Sequence, residues 1–399
     1  MANSIALISK YGAEQLDEVF VRESVTGILE NKSGIEIRQS FVNAQTVFIP
    51  DITLSGLGQY DRALGFPEGS ATLTWTPYAL SQDRGIEIPI DNMDDEESAG
   101  VLASNLLLLN EKKSVIPEVD AYRLSTLAGK AKTVVVGTLT DNSILSLFAA
   151  ADKALEDEEV GLEDVVYFVS TELNQKLKTT TELQRLISNA EMKIGDITLT
   201  VKTFDSRPIV VVPPTRFKTL YTFYTGRESG TAQFGFASAT NSAAINLMAV
   251  HYNAALPIKK HAPVRVFTPE QNQDKDGWKF QTRIYHDIFV PKNKTGGIYL
   301  HRKPATDITI TFDKNPTVAS GAVSGTAFAM TNQTEDTKVK LTDNVYTAAE
   351  AGIEFKGWAS TPAGEVEYSD EDANFIVPSK DTTLYAIWGT AAGGGGGQA

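Results

Sequence analysis

The sequence contains no cysteine. Disulfide frameworks, thiolate metal sites and thiol nucleophiles are therefore excluded. No apolar run approaches the roughly 18 residues that a membrane-spanning helix needs. Residues 1–8 carry no basic group ahead of a short apolar stretch, so they do not read as a secretory signal, and the cytoplasm is the expected compartment. Histidine is scarce: His251, His261, His286 and His301 are the 4 in the chain, with no His-x-x-x-His spacing. Lysine is missing between Lys32 and Lys112, and residues 307–389 contain neither arginine nor histidine. Positive charge is in deficit overall, with 36 Lys and Arg against 50 Asp and Glu and a net charge of −14. That excludes broad binding to nucleic-acid phosphates, which needs a basic face. It is compatible with enclosing a polyanion that must not adhere to the wall.

Catalytic patterns are missing as well. There is no P-loop and no Gly-x-Ser-x-Gly elbow. Gly56-Leu-Gly58-Gln-Tyr-Asp61 lacks the third glycine of a dinucleotide fingerprint. Asn272-x-Asp274-x-Asp276-Gly277 opens like a calcium loop, but Arg283 stands where a bidentate glutamate is needed, so a solvated turn is expected. His286 and Asp287 are neighbours in a strand-like run and should point to opposite faces. The histidines read as structural. No enzyme, cofactor or metal site is expected.

What is present centres on residues 66–129. Ala71, Leu73, Trp75 and Pro77 alternate with Thr72, Thr74, Thr76 and Tyr78, and Ile86, Ile88 and Ile90 alternate with Glu87, Pro89 and Asp91. This period predicts two half-buried strands joined by residues 79–83 as a ribbon. Pro77 and Pro89 suit an edge or a projection. An isolated ribbon is marginal in water, so its apolar face should lie on another surface, either its own domain's core or a neighbouring subunit. The period then becomes helical through Leu102, Leu106, Leu109, Ile116 and Val119 towards Leu127. Acidic residues at 91–97 suit the helix start, Pro117 should kink or split it, and Gly129 offers a stop. Taken as one piece, residues 91–129 would span about 58 Å at about 1.5 Å per residue.

Residues 1–65 read as an arm with short elements, including an extended stretch at 41–52. Residues 130–240 read as an α+β unit: strands at 134–136, 165–169, 197–201 and 209–212, and helices at 144–159, 171–178 and 182–187. Residues 241–306 return to strands, at 245–252, 264–267, 278–288 and 298–301. From 307 to 389 the 13 acidic residues and 5 lysines mark a separate acidic, mostly β domain, with strands at 308–312, 338–341, 355–358 and 383–388. A glycine-rich tail, 390–399, follows.

The order of parts resembles the major capsid protein of tailed double-stranded DNA phages, the Hong Kong 97-like fold. The stretches that carry the resemblance are Ser114-Val-Ile-Pro117-Glu-Val-Asp120-Ala-Tyr-Arg-Leu-Ser125, Phe204-Asp-Ser-Arg-Pro208-Ile-Val-Val-Val212 and Asp276-Gly-Trp-Lys-Phe-Gln-Thr-Arg-Ile-Tyr-His286-Asp-Ile-Phe289. Lys292-Asn-Lys294 and Gly297-Ile-Tyr299 follow them. The resemblance implies an α+β fold with an N-terminal arm at 1–65 and an extended-loop hairpin at 66–90. A spine helix and the start of a peripheral domain would occupy 91–139, an axial domain 140–240, and a return to the peripheral domain 241–306. It implies a shell subunit whose extended loop lies over its neighbour, making Leu73, Trp75, Tyr78, Arg84, Ile86 and Ile88 candidate intersubunit contacts. The expected partners are other copies in hexamers and pentamers, a separate scaffolding protein, a portal, and enclosed double-stranded DNA bound without sequence specificity, in a virion assembled in the host cytoplasm. Some family members weld subunits by a lysine–asparagine bond from the extended loop. That loop has no lysine here, so no such crosslink is expected.

Residues 307–389 resemble a second family, the Listeria–Bacteroides repeat, a small β-grasp-like module. The matching pieces are Ile310-Thr-Phe-Asp313, Phe355-Lys-Gly-Trp358, Tyr368 and Asp381-Thr-Thr-Leu-Tyr-Ala-Ile-Trp388. Phe312, Trp358, Tyr385 and Trp388 are its expected core, and an outward decoration is its expected role. The alternatives are a bacterial nanocompartment shell, or a phage tail or surface adhesin.

Overall fold

Val165 to Val169 are five consecutive buried apolar residues. A strand sends its side chains alternately to two faces, so such a run needs cover on both sides. The computed structural model describes residues 24–30, 46–62, 65–93, 109–140, 144–179, 187–194, 197–227, 233–261, 265–316 and 322–390. In chain order its first elements are β1 (Thr46–Leu54), β2 (Ala71–Ala79), β3 (Gln82–Asp91), a π-helical turn (Glu111–Val115) and α1 (Ile116–Lys130). Then come β4 (Thr133–Val136), α2 (Ile144–Glu156), β5 (Val165–Ser170), α3 (Thr171–Thr179), β6 (Ile187–Ile194), β7 (Ile197–Phe204) and β8 (Arg207–Val212). A small pair, β9 (Tyr221–Phe223) and β10 (Phe236–Ser238), precedes β11 (Ile245–His251), β12 (Leu256–His261), β13 (Arg265–Phe267), β14 (Gly277–Phe289) and β15 (Ile298–Arg302).

Seven strands form one mixed sheet in the order β4-β15-β11-β5-β8-β7-β6. On one face Val166, Phe168, Met248, Val250 and Leu300 pack with Leu124 and Leu127 of α1 and with Ile28 and Leu29. On the other, Val165, Tyr167, Val169, Leu247 and Tyr299 pack with Phe148, Ala151 and Leu155 of α2 and Leu173 and Leu177 of α3. The two covers account for the unbroken apolar run of β5.

A second sheet is built on β14. One side of this strand pairs with β12 and β13, the other with β3 in ten consecutive pairs from Gly277–Asp91 to His286–Gln82. Gly277 is required there, because a Cβ would lie 2.1 Å from the Ile90 carbonyl oxygen. β3 is an edge strand, which accommodates Pro89.

The structure corrects four expectations. The two alternating runs form strands, but β2 does not pair with β3. It pairs with β1, so the ribbon begins at Thr46, inside the stretch assigned to the arm, and the hairpin is not confined to 66–90. Period-two alternation fixes a strand's faces but not its partner, and the apolar face of β3 finds its mates on β14. Secondly, the sheet does not divide at 139 or 240: β4, β11 and β15 lie in the same sheet as β5 to β8. Thirdly, Ile187 opens a strand rather than closing a helix; residues 180–186, where that helix was placed, lie outside the described residues. Fourthly, the helical stretch expected from 91, with a kink or split at Pro117, is strand at Asp91, and it widens into a π turn directly before Pro117, where the Ile116 N–H bonds the Glu111 carbonyl. Proline supplies no N–H to the preceding turn, and a widened turn is one way to absorb the missing bond. Leu102 and Leu106 lie outside the described residues, as do 1–23, 31–45 and 391–399.

The C-terminal unit has its own four-stranded sheet. With β16 (Ile308–Asp313), β17 (Phe328–Gln333), β18 (Ile353–Ala359) and β19 (Thr382–Thr390), the order is β17-β16-β19-β18. Trp358, Phe312, Tyr346, Leu384, Ala386 and Trp388 form its core. Tyr385 is half-buried and is not part of that core. It stands three residues from Trp388, an odd separation that puts the two on opposite faces of one strand. Gly357, at φ +148°, is demanded by a close crossing: a Cβ would meet the Tyr368 carbonyl oxygen at 2.5 Å.

This unit is joined to the body by a fixed pair. Arg302, the last residue of β15, donates to both carboxylate oxygens of Glu335 at 2.5 and 2.7 Å, and the Ala305 N–H donates to the same carboxylate at 2.9 Å. Only 7% of Glu335 is exposed. The Arg302 guanidinium holds the Glu335 carboxyl below the usual glutamate range, against the opposing effect of burial. A lowered folded pKa stabilises the protein above the unfolded glutamate value of 4.5 and loses that stabilisation as pH falls through the folded value. Glu335→Gln should therefore flatten the acid limb of a thermal-stability profile below pH 4.5. Glu335→Ala, which strands Arg302, should cost about 3 kcal/mol by urea denaturation at neutral pH.

Candidate assembly interface

β1 and β2 pair antiparallel over nine positions, from Thr46 opposite Ala79 to Leu54 opposite Ala71. The ribbon is thus about 31 Å long at about 3.4 Å per residue. Directly opposed residues share a face. One face carries Val47, Ile49 and Tyr78 near the root and Thr76, Thr74 and Thr72 beyond. The other carries Thr46 and Ala79 at the root and then Phe48, Pro50, Leu54, Ala71, Leu73, Trp75 and Pro77, an apolar set beyond Thr46.

Only the root is covered. Val47, Ile49 and Leu80 pack on Leu256, Ile258 and Phe289, and the Tyr78 ring lies 5.1 Å from that of Phe289. Outward from there Leu54, Leu73 and Trp75 are 68%, 53% and 52% exposed. Residues 55–62 and 65–70 lie at the tip. The Ser70 N–H donates to Ser55 Oγ at 2.7 Å, the Ser55 N–H to the Ser70 carbonyl at 2.9 Å, and Asp61 and Gly65 exchange backbone bonds. The tip is therefore ordered by its own hydrogen bonds, yet Leu57, Tyr60 and Phe66 remain exposed on it, with the Tyr60 and Phe66 rings 4.9 Å apart.

The six candidate contacts separate into three places. Leu73 and Trp75 lie open on the apolar face. Tyr78 is committed to the root. Arg84 serves its own chain: Nε donates to Glu118 of α1 at 2.5 Å, Nη1 to the Tyr224 carbonyl at 2.7 Å and Nη2 to the Gly235 carbonyl at 3.3 Å. Ile86 and Ile88 are half-buried on the same face of β3, opposite Thr282 and Phe280. That face also holds Ile284, which packs on Ile116 and Val119. Sequence reasoning missed Leu54, Leu57, Tyr60 and Phe66. The available signal was the extended character of 41–52, whose pairing with β2 was not assigned.

The histidines have separate surroundings. His301 is buried with Nδ1 at 3.1 Å from the Asn246 amide, and burial lowers its pKa. His251 accepts from the Asn253 N–H at 3.2 Å and is likewise lowered by burial. His286 sets its ring edge-on to Tyr122. Among the described residues no group of three or more His, Asp or Glu could hold a metal ion. Asn272 behaves as a turn residue, accepting from the Asp274 N–H and donating to the Gly277 carbonyl.

No family model and no curated protein matches this sequence. Among solved structures, the chain is similar to one from Mycobacterium phage Che8, at 15% identity over 70% of this chain and 90% of that one, with a TM-score of 0.46. It is similar to the capsid structure of the cyanophage P-SCSP1u, at 11% identity over 66% and 85% of the two chains, with a TM-score of 0.44. A virus-like particle from Pyrococcus furiosus is matched at 9% identity over 72% and 98%, with a TM-score of 0.40.

Exposed positions barely contribute to a monomer's stability. Trp75→Ala and Leu73→Ser should change unfolding free energy by less than about 0.5 kcal/mol, yet reduce association of the full chain in sedimentation velocity. Ile49→Ala, in the buried root, should instead cost about 3 kcal/mol in chemical denaturation.

Proposed function

We propose that this chain is a major capsid protein. Copies of it form the hexamers and pentamers of an icosahedral shell around the double-stranded DNA of a tailed phage. The observation that carries this reading is the ribbon: two strands about 31 Å long, with one face apolar and exposed beyond the root. A two-stranded ribbon is marginal in water by itself, and monomers rarely leave a contiguous apolar patch of such size uncovered. A second copy of the chain supplies the missing surface. A ribbon laid on the next subunit is a head-to-tail contact, the kind that closes into rings when the rotation allows. The net charge of −14 suits a wall that encloses DNA without holding it. The ordered series of stretches shared with the Hong Kong 97-like family points the same way. In this reading the role is structural rather than catalytic, with a separate scaffolding protein and a portal as partners. Residues 307–389 form an outward module similar to the Listeria–Bacteroides repeat.

The test is negative-stain microscopy of the chain sedimented after expression, alone and with a scaffolding partner. Closed particles of uniform size with nuclease-protected DNA in the infected host support the reading. Particles carrying enzyme cargo would move it to a nanocompartment shell, and extended tubes to a tail protein. Shells boiled in detergent should run as single-chain bands rather than covalent ladders, because the ribbon carries no lysine. Removal of residues 307–399 should leave closed shells that have lost their outer knobs.

A further inference from the structure

Only Leu80 and Ser81 separate β2, which belongs to the ribbon, from β3, which belongs to the body. Both are held by polar contacts that the root packing does not require. The Leu80 carbonyl accepts from Tyr285 Oη at 2.9 Å. The Ser81 N–H donates to Asp287 Oδ2 at 2.8 Å. Tyr122 Oη, from α1, donates to Asp287 Oδ1 at 2.9 Å and lies 2.9 Å from Ser81 Oγ. The Ile288 N–H adds a further bond to Asp287 Oδ1 at 2.7 Å. Asp287 is 4% exposed, and these donors are all uncharged. A buried carboxylate is expensive unless it is hydrogen-bonded, and bonds to it are stronger than bonds between neutral groups.

We propose that Asp287 is the positioning residue of the ribbon, fixing through Ser81 and Tyr122 the angle at which β2 leaves the body. The apolar root holds the ribbon down, but apolar contact has no preferred direction. Hydrogen bonds do have one, and those at Asp287 come from three elements: the β2–β3 corner, α1 and β14 itself. The lever is long. A tilt of about 10° at the root of a ribbon about 31 Å long moves the tip by about 5 Å, about one strand spacing. Under the shell reading, on which only this consequence rests, such a displacement changes where the apolar face meets the next copy. Subunit curvature is then set at the corner.

The absence of cysteine makes the angle measurable. Leu57→Cys at the exposed tip and Gln175→Cys on the exposed side of α3 take two spin labels in the full chain, dispersed at low concentration. Pulsed dipolar spectroscopy reads the distance between them. The parent should give one narrow distribution. Asp287→Asn and Tyr122→Phe should broaden or shift it while circular dichroism remains native. Leu256→Val, which thins the apolar root opposite Phe289 and not opposite Asp287, should lower the melting temperature and leave the distribution narrow. An unchanged distribution in Asp287→Asn would overturn the proposal. If that variant does not fold, Tyr122→Phe, which removes the Tyr122 bond to Asp287, decides in the same way. Where shells form, Asp287→Asn particles should vary in diameter. A parent that forms no shells would count against the shell reading alone and leave the distance measurement standing.

Discussion

A β-strand can be hydrogen-bonded on two sides only, and β14 has filled both. β3 occupies one side over ten residues, and β12 and β13 share the other. The chain that leaves β3 towards its N-terminus therefore has no place beside β14, and it does not take the open edge of β3 either. It turns at Leu80 and Ser81 and pairs instead with β1, outside the body. The projecting ribbon and its uncovered apolar face follow from this pairing of β2 with β1 instead of β3.

The body can support such a lever because its own parts are tied to one another by buried polar groups as well as by packing. Asp120 of α1 is fully buried and accepts from Ser24 Oγ, Thr26 Oγ1, the Val25 and Thr26 N–H groups and Arg216. Arg123, one turn along and also fully buried, pairs with Glu30 at 2.8 Å and donates to Thr26 Oγ1. These bonds hold residues 24–30 against α1, while Ile28 and Leu29 enter the core of the large sheet. Removing one partner from such a set leaves a buried charge uncompensated, which is why the set resists piecemeal change. Arg84 does the same work between β3, α1 and the β9–β10 pair. The helix, the edge strand and the large sheet are thus registered with one another before the ribbon departs.

How much of this was legible in the sequence depends on the kind of signal. Alternation marked β2 and β3, and an unbroken apolar run marked β5, because side-chain faces follow directly from residue spacing. Partner choice was not legible, since Leu73 and Trp75 carry no information about whether Ile86 or Phe48 stands beside them. The π turn was half legible: Pro117 announced a defect in the helix but not whether it would kink, break or widen. The corner at Ser81 was missed. Its one sequence trace is Asp287, an acid directly before the apolar Ile288 and Phe289 that end β14, which was set aside on the argument that His286 and Asp287 face opposite ways. That argument excluded a joint site but not a separate role for each. Asp120 and Arg123 could have been read as charges on a helix face shared with Val119, Leu124 and Leu127, a placement that requires partners.

The C-terminal unit raises the question of whether it is part of the body or an addition to it. Two small residues from outside its own strands, Ala243 and Ala305, are buried in its core. A buried methyl is worth about 0.8 kcal/mol, so these contribute little adhesion. The larger contact is the Arg302–Glu335 pair, placed at the point where β15 ends and reinforced by the Ala305 N–H. A buried, two-pronged ion pair specifies geometry more than it supplies net stability, because desolvation offsets most of the attraction. A joint of that kind orients a unit without making the body depend on it for a core. The body has its own two cores on the large sheet, and the C-terminal unit has a third around Trp358. The arrangement is that of an independently packed unit held at one fixed angle. In a repeating assembly that angle would recur on every subunit, so whatever surface the unit offers would be presented as an ordered array rather than on loose tethers.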